Sequence, residues 1–431
     1  MPQNPPVLSQ IHTRKSILRT GLLAAGGIGA GLALGSRLGS DLTPAEVAAA
    51  GTSPVPAPPP VGSLAAANLD FAFRLQNTLL KSIAGQNLFF SPLSITTALA
   101  MVYNGAAGST QKAMAATLAY KTLSQAQINA ATYSLLTGLQ QRDANIKLNI
   151  ANSMWLRLGV PVVPAFSATL RSSYSATLQN LDFRSPHAPD TINAWVKQQT
   201  HGLIPEIVKS ISADTMMFLI NAMYFKAAWS VPFGKLATRP APFTTGAGKQ
   251  KSVPMMSQTS SFAYRKSATA EVIRLPYATG QFAMYVVLPA AGTTLPAFLS
   301  RLTPSTWKAL LAGLVPQHGS IQLPKFSVSF GASLKPALSA LGMAQAFDPN
   351  SASFPGILAK QHAFITDVQH KAVMNVDENG TQAAAVTSIG VGATAVLVDT
   401  FHMIVNRPFF CAIRDEITGT LLFAGAVEDP S

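Results

Sequence analysis

In the segment 69–84, Phe71, Leu75, Leu79 and Ile83 recur every four residues, about one per turn, which predicts an amphipathic helix. SPLSITTALAMVYNG, from Ser91 to Gly105, predicts a second helix, with Ser91 placed to cap it and Pro92 at its first position. Gly108-Ser109-Thr110 stops one element and opens a helix through Thr117, and residues 123–140 read as a fourth. After that the period changes. KLNIANSMWL, MMFLINAMYF, EVIRLPY, FAMYVVLP, IQLPKFSVSF and AFITDVQHKAVMNV are β-rich runs bounded by Gly, Pro and Asn. Several are apolar on both faces, as central strands of a covered sheet are. FHMIV, FFCAIRD and TLLFAGAV follow as three closely spaced strands. Helices first and then mostly strands, with no internal repeat and no internal boundary, predict a mixed α+β domain.

Composition sharpens this picture. With 431 residues and a hydrophobic fraction of 48%, the chain can bury a sizeable core. Charged residues make up only 11% of it, against roughly 25% in an average soluble domain. The net charge of +13 comes from scattered Lys and Arg, with no basic tract carrying interleaved aromatics. That argues against a specific nucleic-acid partner and leaves a polyanion as an open ligand for the basic surface. The single cysteine, Cys411, cannot form an internal disulfide and reads as a buried thiol within an apolar strand.

The N-terminal segment has a different texture. Arg14, Lys15 and Arg19 precede an uncharged stretch from Thr20 to Ser36 that is too short and too weakly apolar for a transmembrane helix. TRKSILR resembles a twin-arginine export signal with Lys15 in place of the second arginine, the general secretory route being the alternative. Ala48-Ala49-Ala50 supplies the small residues that a signal peptidase needs. SPVPAPPPVGS then reads as an extended spacer. The expected organisation is an export signal or anchor at 1–50, a Pro/Ala-rich linker at 51–67 and one folded domain at 68–431. The folded part would act outside the cytoplasm, periplasmic or secreted.

Enzyme signatures are missing. The chain holds no GxSxG elbow, Walker loop, HExxH or CxxC, and its seven histidines include no i, i+4 pair suited to a metal. His370, inside a β-rich run, reads as a hydrogen-bonded structural residue. A serine–histidine pair assembled across the fold would still make a hydrolase, and spacing alone leaves that open.

Several segments, in order, resemble the serpin family. They are NLFFSPLSITTALAMVYNGAAGST, LINAMYFKAAWSVPF, VPMM, VIRLPY, LPKFSVSF, LGMAQAFDP, HKAVMNVDENGTQAAAVTS and NRPFFCAIRDEITGTLLFAGAVEDP, spanning about Asn68 to Pro430. The resemblance implies an α+β fold of three β-sheets and eight or nine helices with an exposed reactive loop. It also implies a suicide-substrate inhibitor of serine proteases. The loop is bait, and after cleavage its N-terminal part enters the largest sheet as a new strand. The implied hinge is Glu378, Gly380, Thr381, Ala383, Ala384 and Ala385. Ser91, Ser94, Asn221 and His370 match the polar network, or shutter, beneath the strands that must part, and Trp229 matches the aromatic residue at the breach where insertion starts. The implied partner is a serine protease held in a covalent complex by a monomer, with no cofactor and no metal.

The residues suit this role. In an inserting strand Thr381, Ala383, Ala385 and Thr387 would face one way, and Gln382, Ala384, Val386 and Ser388 the other. All eight are uncharged, so neither face carries a charge into an apolar interior. Gly380 gives the hinge conformational freedom. Counting forward from Glu378 by family spacing places the reactive bond at Thr394–Ala395. Counting back from Arg407-Pro408-Phe409 gives Leu397, so the range runs from Ala393 to Leu397. No Arg or Lys lies there, which points to elastase-like or subtilisin-like targets. The alternative is a non-inhibitory serpin acting as a binding or chaperone-like protein.

Overall fold

The computed structural model describes residues 61–360, 362–381 and 398–431. The segment expected to be an export signal or anchor, most of the expected linker, the expected hinge alanines Ala383, Ala384 and Ala385, and the expected reactive bond Thr394–Ala395 lie outside the described residues, as does the whole range from Ala393 to Leu397. The N-terminal half runs α1 (Val61–Ser82), β1 (Leu88–Phe90), α2 (Pro92–Tyr103), α3 (Gly108–Thr117) and α4 (Gln125–Gln141). It continues with β2 (Lys147–Arg157), α5 (Pro164–Tyr174), β3 (Thr177–Leu181), α6 (Ala188–Gln199) and β4 (Met217–Ala228). The middle holds β5 (Arg239–Thr244), β6 (Gln250–Lys266), β7 (Ala270–Tyr277), β8 (Phe282–Pro289), α7 (Leu295–Leu299) and α8 (Pro304–Leu311). The C-terminal part holds β9 (Val315–Pro324), β10 (Phe326–Ser333), α9 (Lys335–Leu338), β11 (Asp367–Asp377), β12 (Gly380–Thr381), β13 (Phe401–Ile404), β14 (Phe409–Asp415) and β15 (Leu421–Val427).

Two sheets carry these strands. The six-stranded sheet has the order β10-β11-β12-β4-β2-β3, and β11 also pairs directly with β4. The nine-stranded sheet runs β1-β15-β14-β8-β7-β6-β9-β13, with β5 added on β6. The family expectation was three sheets. Here β6 is 17 residues long and pairs with β5 and β9 over most of its length and with β7 at its end, so two of the three form one hydrogen-bonded sheet.

α2 is the axis of the core. Every residue of it is buried, as expected for a helix apolar all round that packs against strands of both sheets. Ser91 caps it, its Oγ accepting from Ser94 N at 3.2 Å, with Pro92 at the first position. α4 starts with a reciprocal capping box between Ser124 and Gln127. On the outer face of the six-stranded sheet, Ile192 and Val196 of α6 join a second apolar cluster with Trp155, Phe218 and Ile220. β8 and β15 are buried throughout, whereas β11 alternates, one side chain inward and the next half-buried. Cys411 lies buried in β14, and burial pushes its thiol up to about 12. Among the described residues no helix is long and apolar enough to cross a membrane.

Two sequence readings need correction. α1 begins at Val61, not near Leu69, and so runs into the stretch read as linker. Leu64, Ala65, Ala67 and Asn68 are buried along it, and the alanine-rich run after Pro60 favours helix. IQLPKFSVSF is not one strand. Pro324 ends β9 in the larger sheet and Phe326 opens β10 in the smaller, with Lys325 N donating to Pro254 O at 2.8 Å at the crossing. Alternation along a run shows that a segment is extended, not which sheet it joins.

Candidate functional site

The site lies along the seam between β4 and β11. These strands pair in parallel from Asp367–Phe218 to Lys371–Ala222, and there their pairing stops. At the upper end β12 lies between them. Thr381 is opposite Val376 of β11 and Ala227 of β4, and Gly380 is opposite Asp377 and Ala228. The sheet thus holds Gly380 and Thr381, two residues of the expected hinge, as a short strand, above a segment where β4 and β11 are not paired with each other.

Local chemistry explains this turn-back. Asp377 Oδ1 accepts from Asn379 N at 2.8 Å and from Gly380 N at 3.2 Å, an Asx turn that reverses the chain. Gly380 has φ +150°, and a Cβ there would lie 2.1 Å from Ala227 O and 2.7 Å from Ala228 Cα. Glycine is therefore required for close approach to β4 as well as for conformational freedom. Glu378 accepts from Thr238 Oγ1 at 2.8 Å and from Lys325 Nζ at 3.1 Å. Burial alone would raise its pKa, but its own backbone N–H, Thr238 and the Lys325 ammonium outweigh that and hold the carboxylate below its ordinary range.

Trp229 covers the top of the seam. Its Nε1 donates to Asp377 O at 3.0 Å and its backbone N to Asn379 O at 2.9 Å. Its ring stacks on Tyr277, with centroids 4.5 Å apart and an angle of 11°. The Tyr277 hydroxyl lies 2.6 Å from Thr381 Oγ1 in a buried pair. Tyr277, Asp377, Thr238 and Lys325 were not found in the sequence. The Asp377–Gly380 turn signal was readable there, while the other three reach the hinge only through the fold.

Beneath the closed part of the seam, Ser91, Ser94, Asn221 and His370 come together, all fully buried. Ser91 N donates to His370 Nε2 at 3.2 Å. That nitrogen must then accept, so the ring is neutral and its Nδ1–H donates to Asn221 Oδ1 at 2.7 Å. The Asn221 amide donates to Ser94 Oγ and to Asn152 Oδ1. The Ser91 hydroxyl points at Met223 Sδ, 2.9 Å away. Asn152 is a member that sequence reasoning missed. It stands directly opposite Asn221 in the β2–β4 register, and only that register brings it in. The network ties α2 to β2, β4 and β11 next to the point where the direct pairing of β4 and β11 ends.

Burial pushes the His370 pKa down to about 3, so folding favours its neutral form. The unfolded chain takes up a proton near the ordinary value of 6.5, which the folded chain refuses until about 3. The stabilisation is therefore complete above pH 6.5 and is lost as the pH falls from there toward 3. Going from pH 7.5 to pH 5 should cost about 2 kcal/mol from this residue. His370→Gln, which keeps an acceptor and a donor, should remove that part of the pH dependence. Urea unfolding at the two pH values checks this, and an equal pH dependence in both proteins would contradict it.

Among the described residues no group of three His, Cys, Asp or Glu side chains could hold a metal ion. The geometry provides a seam, a strand begun within it and a polar lock below, an arrangement suited to accepting more of the same strand.

Comparison with known proteins agrees with this geometry. The family model described as Serpin (serine protease inhibitor) matches residues 66–430. The chain is 34% identical to Iripin-3 of Ixodes ricinus over 372 residues, covering 84% of this chain and 94% of that protein. It is also 34% identical to the leukocyte elastase inhibitor of Bos taurus, covering 85% and 99%. The native structure of the thermophilic serpin Tengpin superposes with a TM-score of 0.79 at 29% identity, covering 84% of this chain and 93% of that one. The chain belongs to the serpin family.

Proposed function

We propose that this chain inhibits serine endopeptidases as a suicide substrate. It offers the Thr394–Ala395 bond as bait and captures the cleaved strand between β4 and β11. One observation carries the reading: Gly380 and Thr381 already occupy the top of that seam as a strand antiparallel to both neighbours. The residues that would follow them inward, from Gln382 to Ser388, are uncharged and free of proline. Each can therefore take a sheet position without burying an unpaired charge or losing a ladder hydrogen bond.

In this scheme the protease supplies the catalysis. Its serine oxygen bonds to the Thr394 carbonyl carbon, the bond to the Ala395 nitrogen breaks, and that nitrogen leaves as an amine carrying a proton from the protease. Water would next release the acyl group. Insertion of the strand headed by Thr381 competes with that step by carrying the acylated protease away from its working geometry. The absence of Arg and Lys from the bait, together with relatives named as inhibitors of leukocyte elastase, supports elastase-like or subtilisin-like targets. The basic and then apolar N-terminal segment supports export, and so targets outside the cytoplasm.

Cutting the loop and melting the product tests this reading. A central strand added to the sheet should raise the melting temperature, by about 2 °C for each kcal/mol it contributes to a domain of this size. A clipped chain that melts with the intact one would favour a non-inhibitory member of the family.

A further inference from the structure

A depression of about 530 Å³ lies between α7, α8 and the turn joining β6 to β7, away from the seam. Its lining includes the apolar side chains of Phe298, Leu302 and Leu310, together with Arg265, Arg301 and Thr269. Among the described residues no acidic residue lines it. Among the described residues, neither arginine has a carboxylate partner.

Arg265 is held in place. One guanidinium nitrogen donates to the carbonyl of Ala309 in α8. Its stem lies against Gly313, where a Cβ would come within 2.8 Å of Arg265 Cδ and 2.9 Å of Nε. That carbonyl uses one of the five guanidinium N–H donors, leaving a fixed cation with donors to spare beside an apolar surface. Arg301 is exposed on the segment between α7 and α8. The volume is that of a small-molecule pocket and far exceeds what an inorganic anion fills.

We propose that this depression binds an organic monoanion. Its apolar body would rest on Phe298, Leu302 and Leu310, and its carboxylate or sulfonate would be received by Arg265 and Arg301. This site is independent of the inhibitory reading and would persist if that reading failed.

Two probes that share one aromatic body test it: 1-anilinonaphthalene-8-sulfonate and its uncharged counterpart, N-phenyl-1-naphthylamine. Calorimetric titration of the full chain should give one site for the sulfonate. The uncharged probe and the Arg301→Ala variant should each bind at least about tenfold more weakly, the loss expected for one charge-assisted contact. Arg301 is exposed, so its variant keeps the fold even if Arg265→Ala does not. Phe298→Ala should also weaken the sulfonate. Equal binding of the two probes would overturn the proposal, as would an unchanged affinity in Arg301→Ala. A sulfated disaccharide that binds more tightly than the probe and is indifferent to Phe298→Ala would also overturn it, by reassigning the patch to a carbohydrate polyanion.

Discussion

Thr381→Arg is expected to abolish the covalent trap while leaving the chain a good substrate. Thr381 is 2% exposed, seated between β4 and β11 with its hydroxyl against that of Tyr277. A guanidinium there would lose its water inside the sheet, a cost of several kcal/mol. The native chain can avoid that cost by leaving the hinge outside the sheet, so the variant should fold. The cleaved chain cannot avoid it, because insertion must carry position 381 back through the same place. A barrier higher by about 3 kcal/mol slows insertion about a hundredfold, and hydrolysis of the acyl bond then wins. The trapped fraction on a denaturing gel should fall at least tenfold, while Thr381→Ser traps as the parent does. An unchanged yield in Thr381→Arg would rule out insertion through this seam.

The second large effect is expected at Asn221. Asn221→Leu preserves the approximate shape but orphans the Nδ1–H of His370, the Ser94 hydroxyl and the Asn152 carbonyl oxygen. A buried group left without its partner costs about 1–3 kcal/mol. The three belong to one network and do not add independently, so a total loss of about 3–5 kcal/mol is expected. It falls on the joint among α2, β2, β4 and β11. Urea unfolding should show a lower midpoint, with the native state lost faster on warming. If stability stayed within about 0.5 kcal/mol of the parent, the network would not be what holds the seam closed.

Local features were legible in the chain. The Ser91 cap, the Pro92 start and the extended, β-rich character of β11 follow from residue chemistry within one element. Ser91, Ser94, Asn221 and His370 were named through the family resemblance, and their side chains and backbone share one set of buried hydrogen bonds. What escaped depends on register and on crossing between sheets. Asn152 enters only because β2 and β4 align it with Asn221. Tyr277 reaches Thr381 only because β7 ends beneath Trp229. Gly380 was read as a source of freedom, which it is, but its closeness to the Ala227 carbonyl is a tertiary fact. The same holds for Arg265 and Gly313, whose partnership no local pattern announces.

The most direct test of the account is to mix the full chain with pancreatic-type elastase and, separately, with subtilisin, and to resolve the products on a denaturing gel. The account predicts a detergent-stable band near the summed mass of the two proteins, less the released C-terminal peptide, with that peptide beginning at Ala395. A clipped chain alone, beside a fully active protease, would contradict it.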